Sequence, residues 1–170
     1  QLLSNNGVNL QQNEQAISMR VNNLQAGDAR GIFKTLNLDI RRYTKLSMYL
    51  HAESITGQRP VVDNEIRAVI RIGQDFLNNY YEIKVPLKIT APGIYPRGQE
   101  ARVWPEDNNI DFLLRDLIDL KIERNNSGAS LSNIYRKLIG NKTMSIMGNP
   151  NSGEVRGFLD AVETPARANG

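Results

Sequence analysis

Glu65, Asp75, Glu82, Asp107, Asp111 and Glu123 are the carboxylates from which a hydrolytic pair would be drawn, and such a pair must sit about 5 to 10 Å apart across a cleft. Nothing in the spacing brings any two of them together, and solvated surface acids are the expected reading. His51 is the single histidine. A Ser-His-Asp relay needs an imidazole held between an acid and a nucleophile. Within Leu50-His-Ala52, however, the ring falls on the polar side of an alternating segment, where a cross-strand hydrogen bond or plain exposure is expected. With no cysteine in the chain, disulfides, zinc-thiolate sites and thiol nucleophiles are excluded. Asp63, Asn64 and Glu65 offer the hard oxygens that calcium takes, but no loop has EF-hand spacing. Gly148-Asn-Pro-Asn-Ser-Gly153 has glycines without a following Lys-Ser/Thr, so it reads as a hairpin turn rather than a phosphate cradle. The expectation is therefore a chain without catalytic, cofactor-binding or metal-binding residues, and not an enzyme.

Aromatic side chains carry the remaining chemistry. Tyr95 and Trp104 lie in a stretch broken by Pro92-Gly93, Pro96-Arg-Gly98 and Trp104-Pro105. Flat amphipathic rings in such a loop can stack on a sugar or anchor a protein partner, and these two are the candidate contact residues. The competing reading is that the lone Trp plugs one open end of the fold. Tyr80 and Tyr81, adjacent in an extended segment, point to opposite faces, so at most one is free to meet a partner. Arg67, Arg71, Lys84 and Lys88 could form a basic stripe across two neighbouring strands, but Glu65 and Glu82 interrupt it and no aromatics interleave, so nucleic acid is not expected as a partner.

The elements that must position these residues follow from hydrophobic period. Lys45–Glu53 alternates Leu46, Met48 and Leu50 with Ser47, Tyr49 and His51. Glu65–Gly73 alternates Ile66, Ala68, Ile70 and Ile72 with Arg67, Val69 and Arg71. Tyr80–Thr90 puts Tyr81, Ile83, Val85 and Leu87 on one side. Period two makes all three half-buried strands, with Gln74–Asn79 as a short connection. Earlier, Glu14–Leu24 and Gly31–Leu38 read as strands, and Asp39–Tyr43 as a tight turn whose Ile40 and Tyr43 can tuck beneath the sheet. Ile110, Leu113, Leu114, Leu117 and Ile118 mark one face of a helix, with Asn109 as N-cap. Leu120–Arg124 fits the end of that helix or a short strand. Leu131, Ile134, Tyr135 and Leu138 repeat the helical spacing weakly, and Lys142–Met147 and Glu154–Thr164 are the last strands. The sum is a mainly β, jelly-roll-like antiparallel β-sandwich with one or two short helices. Residues 1–13 are expected to be a linker or frayed terminus, 14–164 a single sandwich domain and 165–170 a tail.

Composition agrees with this outline. A chain of 170 residues suits one domain, and its 21 basic and 18 acidic residues leave a net charge of +3 without a block of like charge. No apolar run approaches the roughly 18 residues of a membrane-spanning helix. Gln1 stands where an initiator Met would, so the sequence reads as a piece of a longer chain or a processed product.

A set of words recurs along it in order. These are Asn13-Glu14-Gln15, Gly27-Asp28-Ala29-Arg30, Leu36-Asn-Leu-Asp39 with Tyr43, Leu46-Ser-Met-Tyr-Leu-His-Ala52, Asp75-Phe76, Asn79-Tyr-Tyr-Glu82, Pro86-Leu87, Val103-Trp-Pro-Glu106, Leu120-Lys-Ile-Glu-Arg-Asn125, and Met147-Gly-Asn-Pro-Asn151 with Val155-Arg156. Over about residues 13 to 163 the ordered set resembles an internal segment of the SprA/Sov family, the outer-membrane translocon of the type IX secretion and gliding-motility system. The resemblance implies a soluble segment inserted between the strands of a very large barrel, associated with the outer membrane on its periplasmic or extracellular side. It would touch other segments of the parent barrel, secretion-system proteins or cargo, and would not itself contact lipid. No catalytic or ligand residue of that family carries over to positions here. The opening strands are also similar to jelly-roll carbohydrate-binding modules, which makes a glycan the alternative partner.

Overall fold

The computed structural model describes residues 3–5, 8–10, 16–35, 39–150 and 157–163. In chain order its elements are β1 (Leu3–Asn5), β2 (Val8–Leu10), β3 (Ala29–Lys34), β4 (Lys45–Met48), β5 (Arg67–Gly73), β6 (Tyr80–Pro86), α1 (Glu100–Val103), β7 (Ile110–Leu113), α2 (Leu114–Ser127), β8 (Tyr135–Ile139), β9 (Lys142–Met147) and β10 (Gly157–Glu163). Among the described residues six strands form one antiparallel sheet in the order β3-β10-β5-β6-β9-β8, and β4 pairs with β7 in a second, two-stranded sheet. Within the leading stretch expected to be a linker, β1 and β2 pair antiparallel.

The centre of the large sheet is set by the alternation in β5, β6 and β9. Ile70, Ile83 and Met144 stand opposite one another in register, as do Ile72, Tyr81 and Ile146. All six are buried and belong to one apolar cluster with Leu114, Leu117 and Leu120 of α2 and Ile110 and Phe112 of β7. Helix and small sheet thus form a second layer over one face, a sandwich-like and mainly β arrangement. Ile40, in a 3₁₀ turn Ile40–Arg42, joins the cluster as expected, whereas Tyr43 is exposed.

The other face is polar. Arg71 lies opposite Glu82, and Glu82 opposite Ser145. Arg71 donates to the Glu82 carboxylate, which also has Lys84 Nζ at 3.4 Å, while the Arg71 guanidinium rests 4.0 Å over the ring of Tyr80. The residues suspected of forming a basic stripe are therefore tied down within the chain, Lys88 among them, 3.3 Å from Asp63. Tyr80 and Tyr81 do point to opposite faces, but both are buried.

Several expectations are corrected. The helix does not begin at Asn109: Ile110–Leu113 is strand β7, because β4 supplies it with a ladder and its period is two, Ile110 and Phe112 inward, Asp111 and Leu113 outward. The helix starts at Leu114, whose N–H donates to the Thr44 carbonyl at 3.0 Å in place of a side-chain cap. Its buried positions are Leu114, Leu117, Leu120 and Arg124, which resolves Leu120–Arg124 as helix and turns Ile118 outward. Gly128, at φ +70°, ends it in the left-handed conformation.

The second helical reading, Leu131 to Leu138, is replaced by strand β8. Gly140 at φ +60° and Asn141 form a two-residue turn that pairs Ile139 with Lys142 and folds β8 onto β9. The expected strand over Glu14–Leu24 is absent in its described part: residues 16–24 pair with no strand among the described residues, Ile17 is 76% exposed, and Asn23 at φ +54° interrupts any extended run. Elsewhere the strands are present but shifted. The strand read at Gly31–Leu38 is Ala29–Lys34, with residues 36–38 outside the described residues. That read at Lys45–Glu53 ends at Met48, after which Glu53 bridges Thr90. That read at Glu154–Thr164 is Gly157–Glu163. Residues 151–156 and 164–170, including the second half of the expected Gly148–Gly153 turn and the tail, lie outside the described residues.

Candidate interaction surface

The loop that follows β6 carries both sequence-predicted contact residues, and its anchors explain their positions. Asn108, fully buried, accepts a hydrogen bond from Lys88 N–H through Oδ1 at 2.7 Å and donates to the Lys88 carbonyl through Nδ2 at 2.9 Å. Its side-chain amide thus copies a peptide group and holds the far side of the loop against the chain leaving β6. Nearer the middle, Thr90 Oγ1 donates to the Arg102 carbonyl at 3.2 Å and His51 Nδ1 lies 2.8 Å from the Val103 carbonyl, as an N–H donor. The lone histidine therefore positions the loop. Its second nitrogen is 3.6 Å from Glu53 Oε2.

Between these anchors the short helix α1 forms, with Trp104 N–H donating to the Glu100 carbonyl at 2.8 Å. Trp104 is not a core plug. It is 40% exposed, with its ring edge against His51 at 5.6 Å and 63°. Tyr95 is half-buried, its hydroxyl donating to the Ala91 carbonyl and its ring lying 5.1 Å beneath the Arg102 guanidinium. The two candidates share one loop, but their ring contacts are with His51 and Arg102 rather than with each other. Around them Ile94 is 99% exposed, and Tyr49, in the same alternating segment as His51, is also exposed. Sequence reasoning missed Asn108 and Thr90. Polar side chains that replace backbone partners carry no spacing signal.

Of the six carboxylates named at the outset, Asp107 is exposed and the other five are individually occupied. Glu82 pairs with Arg71 and Lys84, Asp111 with Lys45 at 2.8 Å, and Glu123 with Lys137. Asp75 is held well below its usual range, at about 2, chiefly by the Asn78 N–H and then by the Asn79 side chain. At the calcium-type stretch, Asp63 Oδ1 accepts from Ile89 N–H at 2.8 Å, which lowers its pKa, and Glu65 Oε2 accepts from Val62 N–H at 2.9 Å. Burial pushes the Tyr81 phenol up to about 12; its hydroxyl has no hydrogen-bond partner among the described residues although Arg124 is near. What the loop offers is an exposed aromatic and aliphatic surface.

The family described as SprA_N, motility related/secretion protein, matches residues 1–168. The chain belongs to this family. The family assignment makes it part of a protein concerned with secretion or motility, and it agrees with the resemblance carried by the ordered words of the sequence. No curated protein matches the chain. Among the described residues no helix is long and apolar enough to cross a membrane.

Proposed function

We propose that this chain is a non-catalytic module of a large outer-membrane protein-export channel, serving type IX secretion and gliding motility through protein-protein contacts. The observation that carries the proposal is the family match over residues 1–168. The exposed loop supports it: Trp104 and Ile94 offer apolar surface on a segment fixed to the sheet by Asn108, Thr90 and His51. In this reading residues 14–164 act as one block on the outer-membrane protein. The block meets other segments of the parent chain, secretion-system proteins or cargo, and binds neither nucleic acid nor lipid. A glycan is the second reading, favoured by the part-exposed Trp104 ring held edge-on by His51.

The test is the double substitution Tyr95→Ala and Trp104→Ala in the full-length parent chain, with cargo export, motility and photo-crosslinking from position 104 as readouts. Both side chains lie outside the apolar core, so the fold should persist, with a loss below about 1 kcal/mol. Export and crosslinks to secretion proteins should fall together. Unchanged export, with binding to a glycan array lost instead, would overturn the protein-contact reading.

A further inference from the structure

The strongest unassigned feature is the outer edge of β8. It ends the six-stranded sheet, the residues on both sides of it are described, and no described strand pairs with its outer side. We propose that this edge receives an extended strand of another polypeptide that carries an acidic and an apolar side chain two residues apart, on one face, a proposal that rests on the reading of the module as a protein-contact unit.

The backbone geometry fixes which groups are available. Gly140–Asn141 is a two-residue turn, so its closing pair, Ile139 with Lys142, exchanges both hydrogen bonds, as do Lys137 with Met144 and Tyr135 with Ile146. The N–H and C=O groups of Arg136 and Leu138 therefore point away from β9, toward the open edge. An arriving strand finds four peptide groups in one row, the requirement for strand addition.

The side chains fix the partner's chemistry. Arg136 and Leu138 share the polar face of the sheet, opposite Ser145 and Thr143. Leu138 is 71% exposed. Arg136 is exposed and has no carboxylate partner among the described residues, while the acid in its row, Glu82, is already held by Arg71 and Lys84. On the opposite face Lys137 is taken by Glu123. The uncompensated pair on one face is thus a cation and an aliphatic group, and a strand with a carboxylate across from Arg136 and an apolar side chain across from Leu138 complements both. A second copy fits badly: the antiparallel register that uses the free groups of Arg136 and Leu138 on both copies sets Arg136 of each against Leu138 of the other, so neither guanidinium meets a carboxylate.

The experiment titrates the 170-residue chain with a capped synthetic peptide repeating Thr-Glu-Thr-Val, in which Glu and Val alternate along one face, and with its counterpart carrying Lys in place of Glu, following backbone amide exchange. The Glu peptide should bind roughly fivefold or more tightly than the Lys peptide. It should protect the amides of Arg136 and Leu138 without changing that of Lys137. Arg136→Glu, a solvent-exposed substitution, should reverse the preference, and Leu138→Pro should remove binding of both. Equal affinity for the two peptides, protection at any other strand, or a peptide-independent dimer that protects the same amides overturns the proposal. The outcome separates from that of the Tyr95 and Trp104 experiment. Lost export there with no peptide binding here sinks only the edge, whereas peptide binding here with unchanged export there sinks only the export reading.

Discussion

The two ends of the large sheet are built on opposite plans. At the end where β5 turns into β6, polar groups are consumed internally. Asp75 accepts from the Leu77 and Asn79 N–H groups at 2.9 and 3.1 Å and from Asn79 Nδ2 at 2.8 Å, and Asn79 Oδ1 in turn accepts from Asn149 N–H at 3.0 Å. From the helix, Arg124 donates to the Gly148 carbonyl and Lys121 to the Pro150 carbonyl at 2.8 Å. Two turns and the end of α2 are thereby locked into one block. At the other end, three side chains tether a long loop that leaves Trp104 and Ile94 in solvent. One end spends its side chains on its own backbone and is closed. The other keeps rings and aliphatic groups available, which is what a contact surface requires.

Two glycines sharpen that contrast most. Gly148, at φ +63° in the closed end, has so little room that a Cβ would fall 1.8 Å from the Asn78 carbonyl oxygen and 2.6 Å from Asn79 Oδ1. Gly98, at φ +92° in the open loop, has nothing within 4 Å. Gly148→Ala must displace backbone as well as strain it, and should lower unfolding free energy by about 4 kcal/mol. Gly98→Ala bears only the left-handed strain, about 1 kcal/mol. Urea unfolding of both variants checks this, and equal losses would abolish the distinction between the ends.

Arg124 comes next. Its guanidinium is fully buried without a carboxylate partner among the described residues, satisfied by the Gly148 carbonyl and by Asn125 Oδ1 at 3.0 Å, at the end of α2 where the helix dipole favours a cation. Arg124→Ala leaves a cavity beside Tyr81 and an unpaired carbonyl on Gly148, and should destabilise by about 3 kcal/mol. Thermal unfolding within error of the parent would mean that the helix does not hold the turn.

How much of this was readable beforehand depended on where the decisive partner lies. The strands around Ile70, Ile83 and Met144 were legible because period two and burial agree within each segment. Ile110–Leu113 was misread because its apolar spacing fits helix and strand alike, and what decides is the ladder offered by Lys45–Met48, far away in sequence. β8 failed for a different reason. The informative signal was the Gly140-Asn141 pair between two β-compatible runs, a local hairpin mark outweighed by a weak 3.6-residue pattern. At the candidate surface Tyr95 and Trp104 were found by residue type and loop chemistry. His51 was placed on the polar side, but its acceptor, the Val103 carbonyl, is a long-range backbone group that no motif encodes. Arg124 gave no signal at all: in sequence it is one more charged residue of a helix, and its burial follows only from the turn that closes over it.

The smallest expected effect tests the closed end through its protons. Asp75 titrates at about 2, below the ordinary 3.8, because backbone N–H groups and Asn79 stabilise the carboxylate in the folded chain. A lowered folded value means that the unfolded chain takes up the proton first. The stabilisation is therefore complete above pH 3.8 and is lost as pH falls through about 2. Because the group is only half-buried, solvent screening holds its contribution to about 1 kcal/mol. Asp75→Asn keeps one carbonyl acceptor for the turn but sets an amide against the Asn79 amide, so it should cost about 1 kcal/mol at neutral pH. It should also flatten the slope of stability against pH between 4 and 2, measured by urea unfolding at stepped pH. If the variant keeps the parent's slope, acid loosening arises elsewhere, and the closed end does not owe its order to this carboxylate.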